Sequence, residues 1–364
     1  MLIKKVLLNN FRNINEAEIT LGPGLNIFYG DNAQGKTNFL ESVYFCAMGR
    51  SHRLGRDRDL VMIGEKSAYT KVFLQNDYSE SDIRLQIERD NKKIWVNGLP
   101  IKRLGDLFGN LLCVIFSPED LMLIKGGPQV RRRFLDMELC QLYPTYYHNI
   151  RMYYKVMKQR NNLLKEISLN PKLTETLETW DEQLAKYGCL IITARKKFVK
   201  NLSNIAAANQ SDITGQKEEL EIIYKSNVAI ESFLEKLTRA KDYDILRKTT
   251  SVGIHKDDME FKINGKCGRI YASQGQQRTA ALSVKLAQIS LIEQEKDVLP
   301  VLLLDDLLSE LDVSRQEYLM ERTKGLQSII TLTGAESAFD TFLNQKNAKI
   351  FKVQNGKFLD EVKV

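Results

Sequence analysis

The stretch Leu25–Gly49, LNIFYGDNAQGKTNFLESVYFCAMG, decides the fold. Leu25–Tyr29 is a short apolar run ending on Gly30, which reads as a buried strand. Phe39, Leu40, Val43 and Ala47 then recur at helical spacing up to a glycine stop at Gly49. Between them, Gly30, Gly35, Lys36 and Thr37 satisfy the phosphate-loop pattern G-x-x-x-x-G-K-[ST] in the strand–loop–helix setting it requires. The glycines let successive N–H groups aim at one point and leave room for phosphate oxygens. Lys36 brings a charge to the β- and γ-phosphates, and the Thr37 hydroxyl is a hard oxygen ligand for Mg²⁺. The helix adds its positive N-terminus. Gly30, Asp31, Asn32, Ala33, Gln34, Gly35, Lys36, Thr37 and Asn38 are the candidate ATP-binding residues.

Such a loop hydrolyses nothing efficiently without a second carboxylate toward the metal and a group that positions water. VLLLDD, Val301–Asp306, supplies both at the C-terminal end of a buried strand, where α/β sheets place their ligands. Asp305 is the candidate metal ligand beside Thr37. Asp306, with Lys36, is the candidate catalytic residue.

The chain has 364 residues, which predicts two domains. No apolar run approaches the roughly 18 residues of a membrane span, and the N-terminus turns polar too soon for a secretory segment. A cytoplasmic protein is expected, with no membrane partner. The five cysteines form no C-x-x-C pair and the three histidines lie far apart, which argues against a zinc site or a disulfide framework. Net charge is +7, and residues 121–242 carry 20 Lys+Arg against 14 Asp+Glu, so most of the excess sits there. Such a segment suits an anionic polymer such as nucleic acid.

Residues 1–120 read as mixed α/β, with a small antiparallel meander in AYTKVFLQN, SDIRLQIERD and KKIWVNG. NLLCVIFSPEDL reads as a buried strand stopping at Pro118. Spacings of three and four from Asp136 to Ile167, and again from Leu177 to Ile205, predict two long amphipathic helices broken at Pro171. From about residue 243 the α/β character returns: a helix in GQQRTAALSVKLAQISLIEQEK, strands in PVLLLDD and SIITLTG, and a final hairpin around Asn355–Gly356. The expected architecture is an α/β domain split in sequence (1–120 and 243–364) with a helical arm (121–242) inserted.

YASQGQQRTAALSVKLA, Tyr271–Ala287, resembles the signature peptide of ABC-type ATPases, usually L-S-G-G-Q. With LLLDDLLSELD, FSPEDLMLIKGGPQVRRRFLD, GRSHR and NNFRN, it is similar to the RecF family of bacterial recombination mediators. That family lies among the SMC-like DNA-repair ATPase heads of the ABC type. The resemblance implies an ATPase head with a mixed sheet and a small antiparallel β lobe. It also implies a composite site in which Ser273, Gln274, Gly275 and Gln276 of one subunit cap ATP in the loop of another, with Asp312 of SELD as the D-loop residue. Its implied function is an ATP-induced homodimer with slow, DNA-stimulated hydrolysis, binding double-stranded and gapped DNA. It would help load recombinase with RecO and RecR. Three departures stand out. Asp306 replaces the usual Glu; Thr331 or Thr333 stands where many ABC proteins keep a switch histidine; and Gly253–Asp258 reads GIHKDD instead of GPHRDD. A Q-loop role falls to Glu119 or Asp120.

For DNA phosphates the sequence offers Arg50, Arg53, Arg131, Arg132, Arg133, Lys155, Lys158, Arg160, Arg195, Lys196 and Lys197, none suggesting base readout. A small-molecule kinase would share the phosphate loop but has no use for a signature peptide or SELD. A transporter ATPase subunit fits poorly with the basic insertion and with Asp306. A structural SMC-like protein fits poorly with the short arm.

Overall fold

The computed structural model describes residues 1–53, 55–76, 79–89, 91–307, 311–333 and 348–361. It divides into two compact units: residues 1–120 with 285–364, and residues 121–284.

In the first unit, two six-stranded sheets flank one helix. One sheet is antiparallel and runs in the order 14–20, 2–11, 67–75, 80–88, 91–96, 99–100. The other runs 357–361, 349–354, 25–29, 328–332, 301–305, 113–116, parallel except for the edge strand 357–361. The helix Lys36–Met48 packs against strands of both sheets and is buried nearly all round, as its sequence of apolar residues on every face requires. Phe28, Phe39, Phe351 and Phe358 lock strand, helix and terminal hairpin together, with Phe28 and Phe351 stacked at 4.7 Å.

Parallel register aligns the carboxyl ends of four strands. Tyr29 pairs with Leu332, Asp305 with Thr331, and Leu304 with Phe116. The phosphate loop, Asp305–Asp306, Thr331–Thr333 and Ser117–Asp120 therefore emerge on one edge of the sheet. The final hairpin turns at Asn355 and Gly356, both with φ in the left-handed region (49° and 71°), as the Asn-Gly pair predicts.

The second unit departs from the expected two-helix arm in two ways. The segment 136–167 is not one helix. Helices Pro128–Leu142 and Pro144–Ile167 meet at Tyr143, which is extended (φ −132°, ψ 103°) because Pro144 bars it from helical geometry. The second expected helix runs Leu177–Thr214, after a short turn at Pro171–Thr176. The unit also contains a three-stranded antiparallel sheet, 266–267, 258–263 and 220–225. Strand Leu220–Lys225 lies within the expected helical arm but pairs with Asp258–Ile263, and this unit accordingly extends to residue 284 rather than ending at 242. The boundary falls inside the helix Gln274–Lys296. Among the described residues no helix is long and apolar enough to cross a membrane.

Candidate functional site

The phosphate loop needs its glycines. Gly30 has φ 151°, and a Cβ there would sit 2.3 Å from the Val353 carbonyl oxygen. Gly35 has φ 113°, and a Cβ there would sit 3.0 Å from Asn13 Oδ1. The hairpin holds the loop from one side: the Asn355 N–H donates to Gln34 Oε1 (2.6 Å) and the Gly356 N–H to the Gln34 carbonyl (2.9 Å). Asn13 holds it from the other, donating to the Ala33 carbonyl at 3.2 Å and accepting from Asn38 at 2.8 Å.

Lys36 is 6% exposed, and its ammonium folds back to donate to the carbonyls of Gly30 and Asp31, both at 2.6 Å. Burial lowers its pKa, and the nearby carboxylates of Asp306, Asp305 and Asp31 offset part of that fall. Thr37 donates to Asp305 Oδ1 at 2.8 Å, and Thr331 donates to the same oxygen at 2.9 Å. Burial raises the Asp305 pKa, against the pull of these two hydroxyls. Asp306 follows in the left-handed region (φ 48°). Its N–H donates to Thr331 Oγ1 at 2.9 Å, and its carboxylate accepts from Thr333 at 2.8 Å. A pocket of about 220 Å³ lies among Gly35, Lys36, Thr37, Asn38, Arg53 and Asp306.

Thr37 and Asp305 are two hard oxygen donors meeting at one point, a set that fits Mg²⁺ completed by phosphate and water. Among the described residues no group of three or more His, Cys, Asp and Glu could hold a metal alone. Of the two Q-loop alternatives, Asp120 is tied up: it accepts from the Ser117 N–H at 2.7 Å and pairs with Lys285 at 3.4 Å. Glu119 is exposed, and its charge helps raise the Asp305 pKa.

Sequence reasoning missed a hub beside the loop. Glu41, fully buried, accepts a bidentate pair from Arg12 (2.9 Å each) and a hydrogen bond from Ser51, with Arg53 at 3.9 Å. Burial pushes its pKa up, but the bonds from Arg12 and Ser51 outweigh it and hold the carboxyl below its ordinary range. Arg53, expected on a DNA surface, instead lines the phosphate pocket and donates to Asn38 Oδ1 at 3.3 Å. The polar residues are visible in NNFRN and GRSHR. The buried acid that joins them is not, because Glu41 sits within an apolar helical run.

In the second unit, Ser273 and Gln276 form a reciprocal cap at the start of their helix. The Ser273 hydroxyl accepts from the Gln276 N–H (3.2 Å), and the Ser273 N–H donates to Gln276 Oε1 (2.9 Å). Ser273, Gln274 and Gly275 are exposed. Back in the first unit, Asp312 caps the helix Val313–Arg322, accepting from the Arg315 N–H at 3.0 Å and pairing with the Arg315 side chain. Leu308, Ser309 and Glu310 of the same stretch lie outside the described residues.

Three of the arginines expected to meet DNA are buried. Arg195, 0% exposed, binds Asp257, Asp136, the Tyr146 hydroxyl and the Ile254 carbonyl. Arg160, also 0%, binds Asp181, Asp244 and Thr250. Arg131 is held bidentately by Asp258. These guanidiniums are structural, which corrects the expectation that they meet DNA phosphates. The same pairs give GIHKDD its role. Asp257 also accepts from Tyr224 and the Asn227 N–H, Asp258 grips Arg131, and His255 meets Tyr153 at 3.1 Å. Gly253 (φ 136°) leaves no room for a side chain, since a Cβ would sit 2.0 Å from the Tyr153 oxygen. Arg132 and Arg133 are half-buried, while Arg50, Lys155, Lys158, Lys196 and Lys197 are exposed.

Comparison with known proteins places these features in company. Residues 2–358 match the family described as RecF/RecN/SMC N terminal domain. The DNA replication and repair protein RecF of Lachnoclostridium phytofermentans is 45% identical over 98% of this chain and 99% of its own length. That of Clostridium tetani is 42% identical over 99% and 100%. A solved structure described as the recombination mediator protein RecF-ATP in the RecFOR pathway superposes with a TM-score of 0.93 at 36% identity, covering 99% of this chain and 97% of that one. An SMC head bound to the C-winged helix domain of ScpA, at 16% identity and a TM-score of 0.58, shares the fold.

Proposed function

The chain belongs to the RecF family, within the RecF/RecN/SMC N-terminal domain group, and from that premise we propose an ATP-controlled DNA-binding protein of replication and recombinational repair that works as a nucleotide-bridged dimer. The observation that carries the reading is that Lys36, Thr37 and Asp306 line one pocket of about 220 Å³, with Asp305 bound to Thr37 beside it.

ATP enters with its β- and γ-phosphates over the loop amides. Lys36 exchanges its two carbonyl acceptors for phosphate oxygens. Mg²⁺, held by Thr37 and Asp305, would neutralise charge on the phosphates. Asp306 orients water and takes its proton as the water oxygen bonds to the γ-phosphorus. The bond from that phosphorus to the bridging oxygen breaks, and ADP and phosphate leave. Ser273 of a second copy caps the γ-phosphate: its oxygen already accepts the helix-capping bond, so its own proton is available to donate. Nucleotide then joins the two copies, and hydrolysis parts them. Exposed lysines of the second unit supply phosphate contacts on double-stranded and gapped DNA, and recombinase loading follows through the mediator proteins RecO and RecR.

Ultracentrifugation of an Asp306→Asn variant tests the shared site. The variant binds ATP, hydrolyses it slowly and sediments as a dimer with ATP but as a monomer without it. A monomer at saturating ATP would overturn the dimer reading.

A further inference from the structure

The two acids of VLLLDD are adjacent in sequence, yet different threonines of the neighbouring strand hold them. Asp305 pairs in register with Thr331. Thr333 lies one residue past the strand Ser328–Leu332, and its hydroxyl reaches Asp306 as that of Thr331 reaches Asp305, so the two threonines form a hydroxyl ladder beside the carboxylates. The lower rung, Thr331, has one proton and gives it to Asp305, while its oxygen accepts the Asp306 N–H. Thr331 thereby fixes the metal-side acid and the backbone of the catalytic one. Its single proton, already given to Asp305, leaves it none to donate to the Asp306 carboxylate. That bond comes from the upper rung, Thr333, at 2.8 Å.

We propose that Thr333 is a positioning residue for the Asp306 carboxylate, a hydroxyl that helps set the direction in which this base meets the attacking water. Three features support this. Asp306 is shorter than the Glu more usual at such a position, so its reach is set by backbone and carboxylate orientation. Its φ of 48° is a strained conformation for a side-chain-bearing residue, which neighbouring bonds must hold. Thr333 is exposed at the pocket wall, so it is not needed to fill the core. A donor on one carboxylate oxygen restricts rotation about Cβ–Cγ, and an aligned base is worth more than a free one. Partners of this kind change rates by about 10- to 100-fold when removed.

The inference rests on hydrolysis at the site proposed above. Thr333→Val keeps the branched shape and removes the hydroxyl; Thr333→Ser keeps the hydroxyl. Equilibrium ATP affinity, with and without Mg²⁺, and single-turnover hydrolysis are measured on both variants of the full chain. The Val variant binds ATP as wild type does but turns it over about 10- to 100-fold more slowly, and Ser restores the rate to within a few-fold. A Val variant as fast as wild type, a Ser variant as slow as Val, or a loss of ATP affinity equal to the loss of rate each overturns the role of Thr333 alone. Wild-type protein that fails to hydrolyse ATP, with or without DNA, overturns the hydrolysis reading together with it.

Discussion

Lys36 and Arg195 are both long cations with almost no exposed surface, and they are held in opposite ways. Arg195 is compensated within its own unit: two carboxylates, a tyrosine hydroxyl and a carbonyl take its donors. Lys36 donates to two neutral carbonyls of its own loop, and the carboxylates that influence it are not in ion-pair contact among the described residues. A compensated cation stabilises a fold and does little else. An uncompensated one is kept at some expense in stability and is ready for an anion that arrives later.

Two alanine substitutions should separate these cases. Arg195→Ala leaves Asp257 buried with one partner fewer and is expected to destabilise the second unit by about 3–5 kcal/mol, read from denaturant unfolding. Lys36→Ala removes a desolvated charge, so unfolding is expected to be unchanged or slightly harder. ATP affinity nevertheless falls about 10- to 100-fold with the loss of charged hydrogen bonds. Equal destabilisation by both substitutions would erase the distinction.

His52 offers a sharper case inside the first unit. It lies edge-on to Tyr44 (5.5 Å), and both ring nitrogens are buried without a hydrogen-bond partner among the described residues. Burial pushes its pKa down from 6.5 to about 4, despite Glu41 and Glu119, with Arg53 and Lys285 pushing the same way as burial. The folded state therefore binds fewer protons than the unfolded one between these values. Its contribution is fully present above pH 6.5 and is lost as pH falls toward about 4, a loss of about 3 kcal/mol. The stability of His52→Phe should fall less steeply than that of wild type over this window. Parallel pH profiles would mean that His52 is already solvated when folded.

What the sequence makes legible is local. The phosphate loop, each strand of the meander, the Asn355–Gly356 turn and the VLLLDD strand carry their signal within a dozen residues, and the fold respects them. What it hides is pairing over distance. The strand Leu220–Lys225 is defined by Asp258–Ile263, and Arg131 finds Asp258 127 positions away. Nothing near Arg160 or Arg195 distinguishes them from Lys158 or Lys196, because burial is decided by acids brought in by the fold. The break at Tyr143 is legible in Pro144, but the apolar spacing continues across it and masks the interruption. In the site, the glycines and acids are readable by type, whereas the hydroxyls of Thr331 and Thr333 acquire roles only once two strands lie in register.

The smallest expected effect separates the remaining basic residues. Lys155, Lys158, Lys196 and Lys197 are exposed to solvent, unlike the arginines buried beside them in sequence. Each phosphate that is no longer neutralised should reduce the slope of log affinity against log salt by about 0.9. Lys196→Gln with Lys197→Gln is therefore expected to flatten that slope by up to about 2 while leaving unfolding unchanged, since neither lysine is buried. Arg131→Gln should do the reverse, weakening the fold through Asp258 and leaving the slope of the folded protein as it was. Binding to gapped duplexes over a salt series, in the presence of ATP, reads both. An unchanged slope in the lysine pair would move the nucleic-acid surface away from this helix. A flattened slope in Arg131→Gln would mean that Arg131 itself neutralises a phosphate, and would overturn its purely structural role.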